Sequence, residues 1–411
     1  MLSNNKKSIK YGVAIAGVQN DGPGSGSIWK SWAEKKGKIA DSSIPTNGVG
    51  FYTKYKEDIQ LAKEMGLKVF RFSIDWARVE PKKGDIDQIY LDHCQSVINE
   101  IENKGMEAFV TLFHFDYPQW FQVLGGFTRK SNFKYFLSFI EIVVSRFAGQ
   151  VDTWMSLNEP VNWAFHSYLY GDFSPGEKNL IKTTQVINNL IDLNNQCYRL
   201  IKKLDSKALV GVGNNMNWFK PFNINSVIEN KVATLLNWFW NWRYIDKTIN
   251  CCDFVGVQYY ARIEIQTRLG GNLFGLFQER GLTLPTGKVK ISDLGWDIVP
   301  KGLEYFLKKV WLKYHKPIYI TEVGLAEAGI SDGFGLIVDQ KREEYVKQIV
   351  DIVNQAVESG IEVLGVVWWT LTDNWEWTLG FSPKFGFYRV DPNGLRVPRE
   401  SVSTLKQIIG E

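Results

Sequence analysis

Cysteine is scarce in this chain: Cys94, Cys197, Cys251 and Cys252 are the only four in 411 residues. The single close pair is vicinal, which suits neither a disulfide framework nor a CxxC metal clip, so a reducing compartment is expected. Histidine is equally sparse. His93, His114, His166 and His315 show no metal-ligand spacing, and His93 and His315 fall on expected helices or their ends, leaving His114 as the one placed to meet a ligand. No apolar run reaches the roughly 18 residues of a membrane span. The short apolar run after Lys6, Lys7 and Lys10 leads into "QNDGPGSG" rather than a small-residue cleavage site, so strand and loop are expected, and with them a cytoplasmic location. Charge is not segregated: the net value is +4, with lysines and acids interspersed, so no basic stripe suits nucleic acid. A GxSxG elbow is missing. "GPGSGS" at 22 to 27 lacks the Lys-Ser/Thr of a phosphate loop and reads as a glycine-rich turn, and "CCDF" at 251 to 254 as a packed strand entrance. Neither metal nor cofactor is expected.

What is present is a rhythm. Eight short apolar runs recur: "YGVAIAG" (11 to 17), "KVFRFSI" (68 to 74), "EAFVTLFHF" (107 to 115), "DTWMSLNE" (152 to 159), "ALVGVGN" (208 to 214), "DFVGVQYY" (253 to 260), "PIYITEVG" (317 to 324) and "VLGVVWWTL" (363 to 371). Near-continuous apolarity suits strands of a parallel sheet buried on both faces. Segments of helical length and period lie between them, as in "FYTKYKEDIQLAKEMG", where Tyr55, Ile59, Ala62 and Met65 share a face and Gly66 supplies the stop. Strict alternation of this kind predicts a single (β/α)8 barrel spanning residues 1–411, since eight strands close without leaving an edge. The long connections around 20 to 50, 160 to 178 and 261 to 298 would then sit at the C-terminal rim, where this fold builds active sites.

Chemically capable residues end seven of the eight runs: Gln19, Arg71, His114, Asn158 with Glu159, Tyr259 with Tyr260, Glu322, and Trp369. Glu159 and Glu322 each close a largely apolar strand, and strands four and seven face each other across a barrel mouth. A lone acid there is more often half of a structural ion pair. Two opposed acids, with Arg71 available to keep one ionised, point instead to the acid and carboxylate pair of a glycosidase. The aromatic content agrees with a sugar site. Trp368, Trp369, Trp375 and Trp377 crowd into "VVWWTLTDNWEWTLGF", where indole faces suit sugar C–H groups and Asp373, Asn374 and Glu376 suit hydroxyls. Trp368 and Trp375 are expected to fill the barrel wall. Beyond Glu159, Trp163 and His166 either meet the leaving group or pack the loop, with Trp163 favoured to meet it.

Ordered blocks along the whole chain, "YKEDIQLAKEMGLKVFRFSIDWARVEP", "TLFHFDYPQWF", "NEP", "GDFSPG", "DFVGVQYY", "YITEVG", "DNWEW" and "FGFYRVD", resemble those of the family 1 glycoside hydrolases. The compact length is similar to that of archaeal-type members with trimmed loops, whose open aglycone side would suit alkyl or aryl glycosides. The resemblance implies Glu159 as general acid/base, Glu322 as nucleophile, Arg71 and Tyr260 as nucleophile support, and Asn158 on the sugar 2-hydroxyl. Gln19, His114, Glu376, Trp377 and the platform Trp369 would complete the glycone site. Double displacement with retention follows, the two carboxyl groups standing about 5 to 5.5 Å apart. The phospho-sugar branch carries Ser and Lys where this chain has Glu376 and Trp377, so an unphosphorylated β-glucoside is the expected substrate, with β-galactosides or β-fucosides tolerated. Oligomeric state is not implied.

Three departures from the family pattern stand out. Val323 follows the nucleophile where Asn is usual, Gln258 replaces the usual Asn before the tyrosines, and Phe115 replaces a frequent Trp beside His114. Hydrogen bonding around both carboxylates is expected to be rearranged, and one N–H donor to the sugar lost. Two other readings use the same site: a transglycosidase whose acceptor outcompetes water, and a sugar-binding pseudoenzyme, against which the presence of both acids counts.

Overall fold

The computed structural model describes residues 9–266, 289–333 and 335–410; Lys6, Lys7 and positions 267–288 of the connection expected over 261 to 298 lie outside the described residues. Each of the eight expected runs contributes one strand: β1 (Lys10–Ala14), β2 (Val69–Ser73), β3 (Glu107–Thr111), β4 (Thr153–Met155), β5 (Leu209–Asn215), β6 (Phe254–Tyr259), β7 (Ile318–Val323) and β8 (Val363–Trp369). They pair in parallel around a closed barrel in which β8 returns to β1. Every residue of β2, β6 and β7 is buried, as expected of strands covered on both faces.

Two apolar cores result. The inner one fills the barrel with Val69, Phe109, Met155, Phe254, Tyr319 and Val367, a packed interior rather than a pore. Gly211 makes room for it: a Cβ there would stand 2.1 Å from the Phe254 ring. Arg71 lies over Phe109, its guanidinium 5.4 Å from the ring centroid, so the first charge met on leaving the inner core belongs to the site above. The outer core joins the strands to eight principal helices: α1 (Phe51–Glu64), α2 (Gln88–Asn103), α3 (Phe133–Phe147), α4 (Leu180–Leu204), α5 (Val227–Leu236), α6 (Lys301–Tyr314), α7 (Gln340–Glu358) and α8 (Glu400–Gly410). In α1, Ile59 and Ala62 are buried as the period predicts, followed by Met65 at the helix end, whereas Tyr55 is only partly covered. Gly66 then takes a left-handed turn (φ 85°) that stops the helix.

The C-terminal segment is clamped by buried ion pairs. Arg396 bonds Asp58 of α1 through Nε and Nη2 at 2.7 and 2.9 Å, and Arg399 bonds Asp373 beyond β8. Among the described residues, no helix is long and apolar enough to cross a membrane, and no group of three His, Cys, Asp or Glu side chains could hold a metal ion.

Candidate active site

The C-terminal strand ends surround a cavity of about 180 Å³ whose wall includes Gln19, His114, Asn158, Glu159, Tyr260, Glu322, Trp369, Glu376 and Trp377. Of the residues assigned to catalysis or the glycone site, only Arg71 does not line the cavity. Arg71 lies beneath it, buried, and holds the floor together.

Its guanidinium gives Nη1 to Glu322 Oε1 at 2.6 Å, Nη2 to Asn158 Oδ1 at 2.6 Å and Nε to Thr111 Oγ1 at 3.1 Å. Tyr260 donates its hydroxyl to the other Glu322 oxygen at 2.8 Å. Glu322 is thus fixed at both oxygens, one by a cation and the other by a phenol. Tyr259, its neighbour, points the other way and donates to the Val299 carbonyl at 2.8 Å, because successive strand residues face opposite sides.

Glu159 sits in a different environment. Pro160 opens a helical turn directly after it, and Glu159 itself adopts left-handed backbone (φ 42°), which turns its carboxyl into the cavity. Asn162, one turn on, donates to Oε2 at 2.8 Å, while Oε1 is buried without a partner. Burial pushes the Glu159 carboxyl well above the ordinary carboxylate range, and the nearby charge of Glu322 raises it further, against the Asn162 amide.

Elsewhere in the cavity wall, Glu376 accepts from Trp369 Nε1 at 2.9 Å and Gln19 Nε2 at 3.1 Å. Burial raises its pKa to about 8, the Trp369 bond opposing and the Glu322 charge assisting. His114 lies nearly parallel to the Trp369 ring at 5.8 Å; burial, aided by Arg71, keeps its pKa well below the usual imidazole value, so the ring is neutral. Trp377 packs on Trp29 at 4.7 Å and has φ 53°, a backbone held in place by a cluster that includes Trp375.

Several expectations need correction. Trp163 does not meet a leaving group: it is fully buried among Phe113, Tyr117, Phe127 and Tyr168, an aromatic nest that the adjacent apolar run could have signalled. His166 takes that place in the cavity wall, stacked on Phe173 at 4.5 Å and bonded through Nδ1 to Asp172, so His114 is not alone in facing a ligand. Asp373 faces away, its oxygens taken by Arg399 and the Gly386 amide. Trp368 and Trp375 are buried as wall, in line with their reading.

Of the departures, Gln258 reaches Asn158 rather than either carboxylate, donating to Oδ1 at 2.7 Å. With Arg71 on the same oxygen, the Asn158 carboxamide has one orientation, its NH₂ standing 3.5 Å from His114 Nε2. Val323 is core. Phe115 lines the cavity with its ring. The residues missed include Asn162, Asn215, Phe173, Trp296 and Phe385, all in the wall. Asn215 supplies the strand end that lacked a candidate: β5 runs one residue past the expected run, and Asn214 turns outward to the Trp240 carbonyl.

A closed barrel with two buried carboxylates facing an indole-lined cavity at its C-terminal rim defines a barrel hydrolase built for sugars. The family model "Glycosyl hydrolase family 1" matches residues 11–250 and 241–411, and the chain belongs to that family. It is 28% identical to Beta-glucosidase A of Thermotoga maritima over 93% of this chain and 92% of that one. It is 27% identical to a 1,4-beta-D-glucan glucohydrolase of Thermotoga neapolitana, with 93% and 97% covered. A solved Thermotoga maritima beta-glucosidase in complex with glucoimidazole superposes with a TM-score of 0.88, at 25% identity over 98% of both chains. The chain is accordingly a glycoside hydrolase of the β-glucosidase type.

Proposed function

We propose that the chain, acting as one catalytic domain, hydrolyses unphosphorylated β-D-glucosides by double displacement with retention, tolerating β-galactosides or β-fucosides. What carries this reading is the contrast between two carboxyl groups in one cavity. Glu322 is held by Arg71 and Tyr260, whereas Glu159 is buried with one oxygen unpartnered.

Glu322 then attacks the anomeric carbon while Glu159, protonated by its surroundings, delivers a proton to the departing oxygen. Formation of the glycosyl ester removes the Glu322 charge. Because that charge raises the Glu159 pKa, its loss lowers the pKa, and Glu159 becomes a better base for the incoming water. Asn158 presents its NH₂ to the 2-hydroxyl. Gln19 and Glu376 take up outer hydroxyls, and Trp369 and Trp377 offer apolar faces. A carboxyl group at Glu376, instead of a cation, disfavours a phosphorylated sugar.

The test is early-time proton NMR on an aryl β-glucoside, with a panel of aryl β-glycosides for glycone choice. β-Glucose should appear first, and the glucoside should outrun its 6-phosphate by a wide margin. First appearance of α-glucose, or preference for the phosphorylated sugar, would overturn the reading.

A further inference from the structure

Six of the exposed large apolar side chains fall within 17 residues: Phe222 (51% exposed), Ile224 (79%), Val227 (66%), Ile228 (63%), Leu235 (59%) and Trp238 (48%). The others are scattered along the rest of the described chain. α5 and the turn that continues it over Asn237–Trp242 bury Glu229, Ala233 and Trp240 on one side. The opposite side carries Ile228, Lys231, Leu235 and Trp238 at i, i+3, i+7 and i+10, a stripe of exposed residues with helical spacing. An amphipathic helix normally turns such a stripe inward; here it faces solvent.

Charge selects the occupant. Residues 218–243 contain three cations, Lys220, Lys231 and Arg243, and one acid, Glu229, which is buried and accepts from the Asn223 amide. Lys231 is exposed within the stripe and Lys220 is exposed on the preceding strand, its ammonium 4.4 Å above the Trp218 ring. Glu264, across the strand pair from Lys220, is only slightly exposed and is tied to Arg262 at 3.1 Å, so apolar residues with a tryptophan among them, flanked by lysines, give this face the composition of an interfacial segment. A second copy docking through the same face would set these lysines against one another.

We propose that this face seats the protein on an anionic lipid surface. The segment is anchored next to the cavity: Trp240 Nε1 donates to the Asn215 carbonyl at 2.9 Å, and Asn215 lines the cavity wall. A protein seated this way holds its mouth close to the lipid plane, where glycosides with long apolar aglycones partition.

The full chain should be sedimented with vesicles of phosphatidylcholine alone and of phosphatidylcholine mixed with phosphatidylglycerol. It should pellet with the mixed vesicles and less so in high salt. Ile228→Asn with Trp238→Ser should lower partitioning at least about tenfold, and Lys220→Glu with Lys231→Glu by a similar factor on anionic vesicles only. Turnover of a soluble aryl β-glucoside should be unchanged in both, which also reports that they are folded. The proposal falls if the wild type stays in the supernatant with both vesicles, or if the variants pellet like the wild type. It falls equally if the wild type is a dimer that the variants render monomeric, which would assign the face to self-association.

Discussion

Two buried arginine–carboxylate pairs, Arg399–Asp373 and Arg71–Glu322, differ in what surrounds them. Arg399 meets Asp373 through Nη1 and Nη2 at 3.1 and 2.9 Å, and the Gly386 amide and carbonyl close the remaining gaps. Neither residue has a side-chain polar atom left over. Arg71 meets Glu322 just as closely, yet around that pair Glu159 Oε1, Gln19 Oε1 and His114 Nδ1, all on residues of the cavity wall, are buried and unpartnered. Unpartnered buried polar atoms are costly and therefore rare. One network is closed and holds the chain together; the other leaves polar atoms unpartnered beside the cavity.

This contrast can be broken by mutation. Losing the nucleophile should cost most: Glu322→Ala is expected to lower kcat on the order of 10⁶-fold, the scale seen when other covalent enzymes lose theirs. Melting should show the protein still folded. Glu159→Ala should slow glucosides with poor leaving groups by about 10² to 10⁴-fold and activated aryl glucosides far less, since only the former need a proton. Equal losses across a leaving-group series would speak against an acid role. Arg399→Met should instead act on stability, costing about 3–5 kcal/mol by stranding Asp373, read by denaturant titration, with KM unchanged while the protein is folded.

The smallest effect is the most diagnostic of tuning. Asn162 donates to the Glu159 carboxylate and so lowers its pKa; removing that bond raises it. A general acid works while protonated, so the alkaline limb of kcat/KM in Asn162→Ala should move to higher pH. A limb that stays or moves down would detach that limb from Glu159.

The barrel was legible because all eight strands are short apolar runs separated by helical periods, a pattern that buried strands enforce. Glu159, Glu322, Arg71 and Tyr260 were legible as polar residues placed where that pattern ends. Side-chain direction was less so. Trp163 and Asp373 lie within three residues of site residues yet point elsewhere, one into an aromatic nest and one to Arg399, contacts made with segments remote in the chain. Asn162 and His166 come from short helical turns over Pro160–Phe165 and His166–Tyr170, too brief to show a period, and Asn215 was hidden by a strand one residue longer than its apolar run.

The central claim is that Glu322 and Glu159 attack and protonate from opposite sides of one sugar, and azide separates the two roles most directly. With Glu322→Gly, azide should restore turnover of an activated aryl β-glucoside and give the α-glucosyl azide; with Glu159→Ala it should give the β-glucosyl azide. Wild-type-like activity in Glu322→Gly, or the same anomer from both variants, would contradict the account.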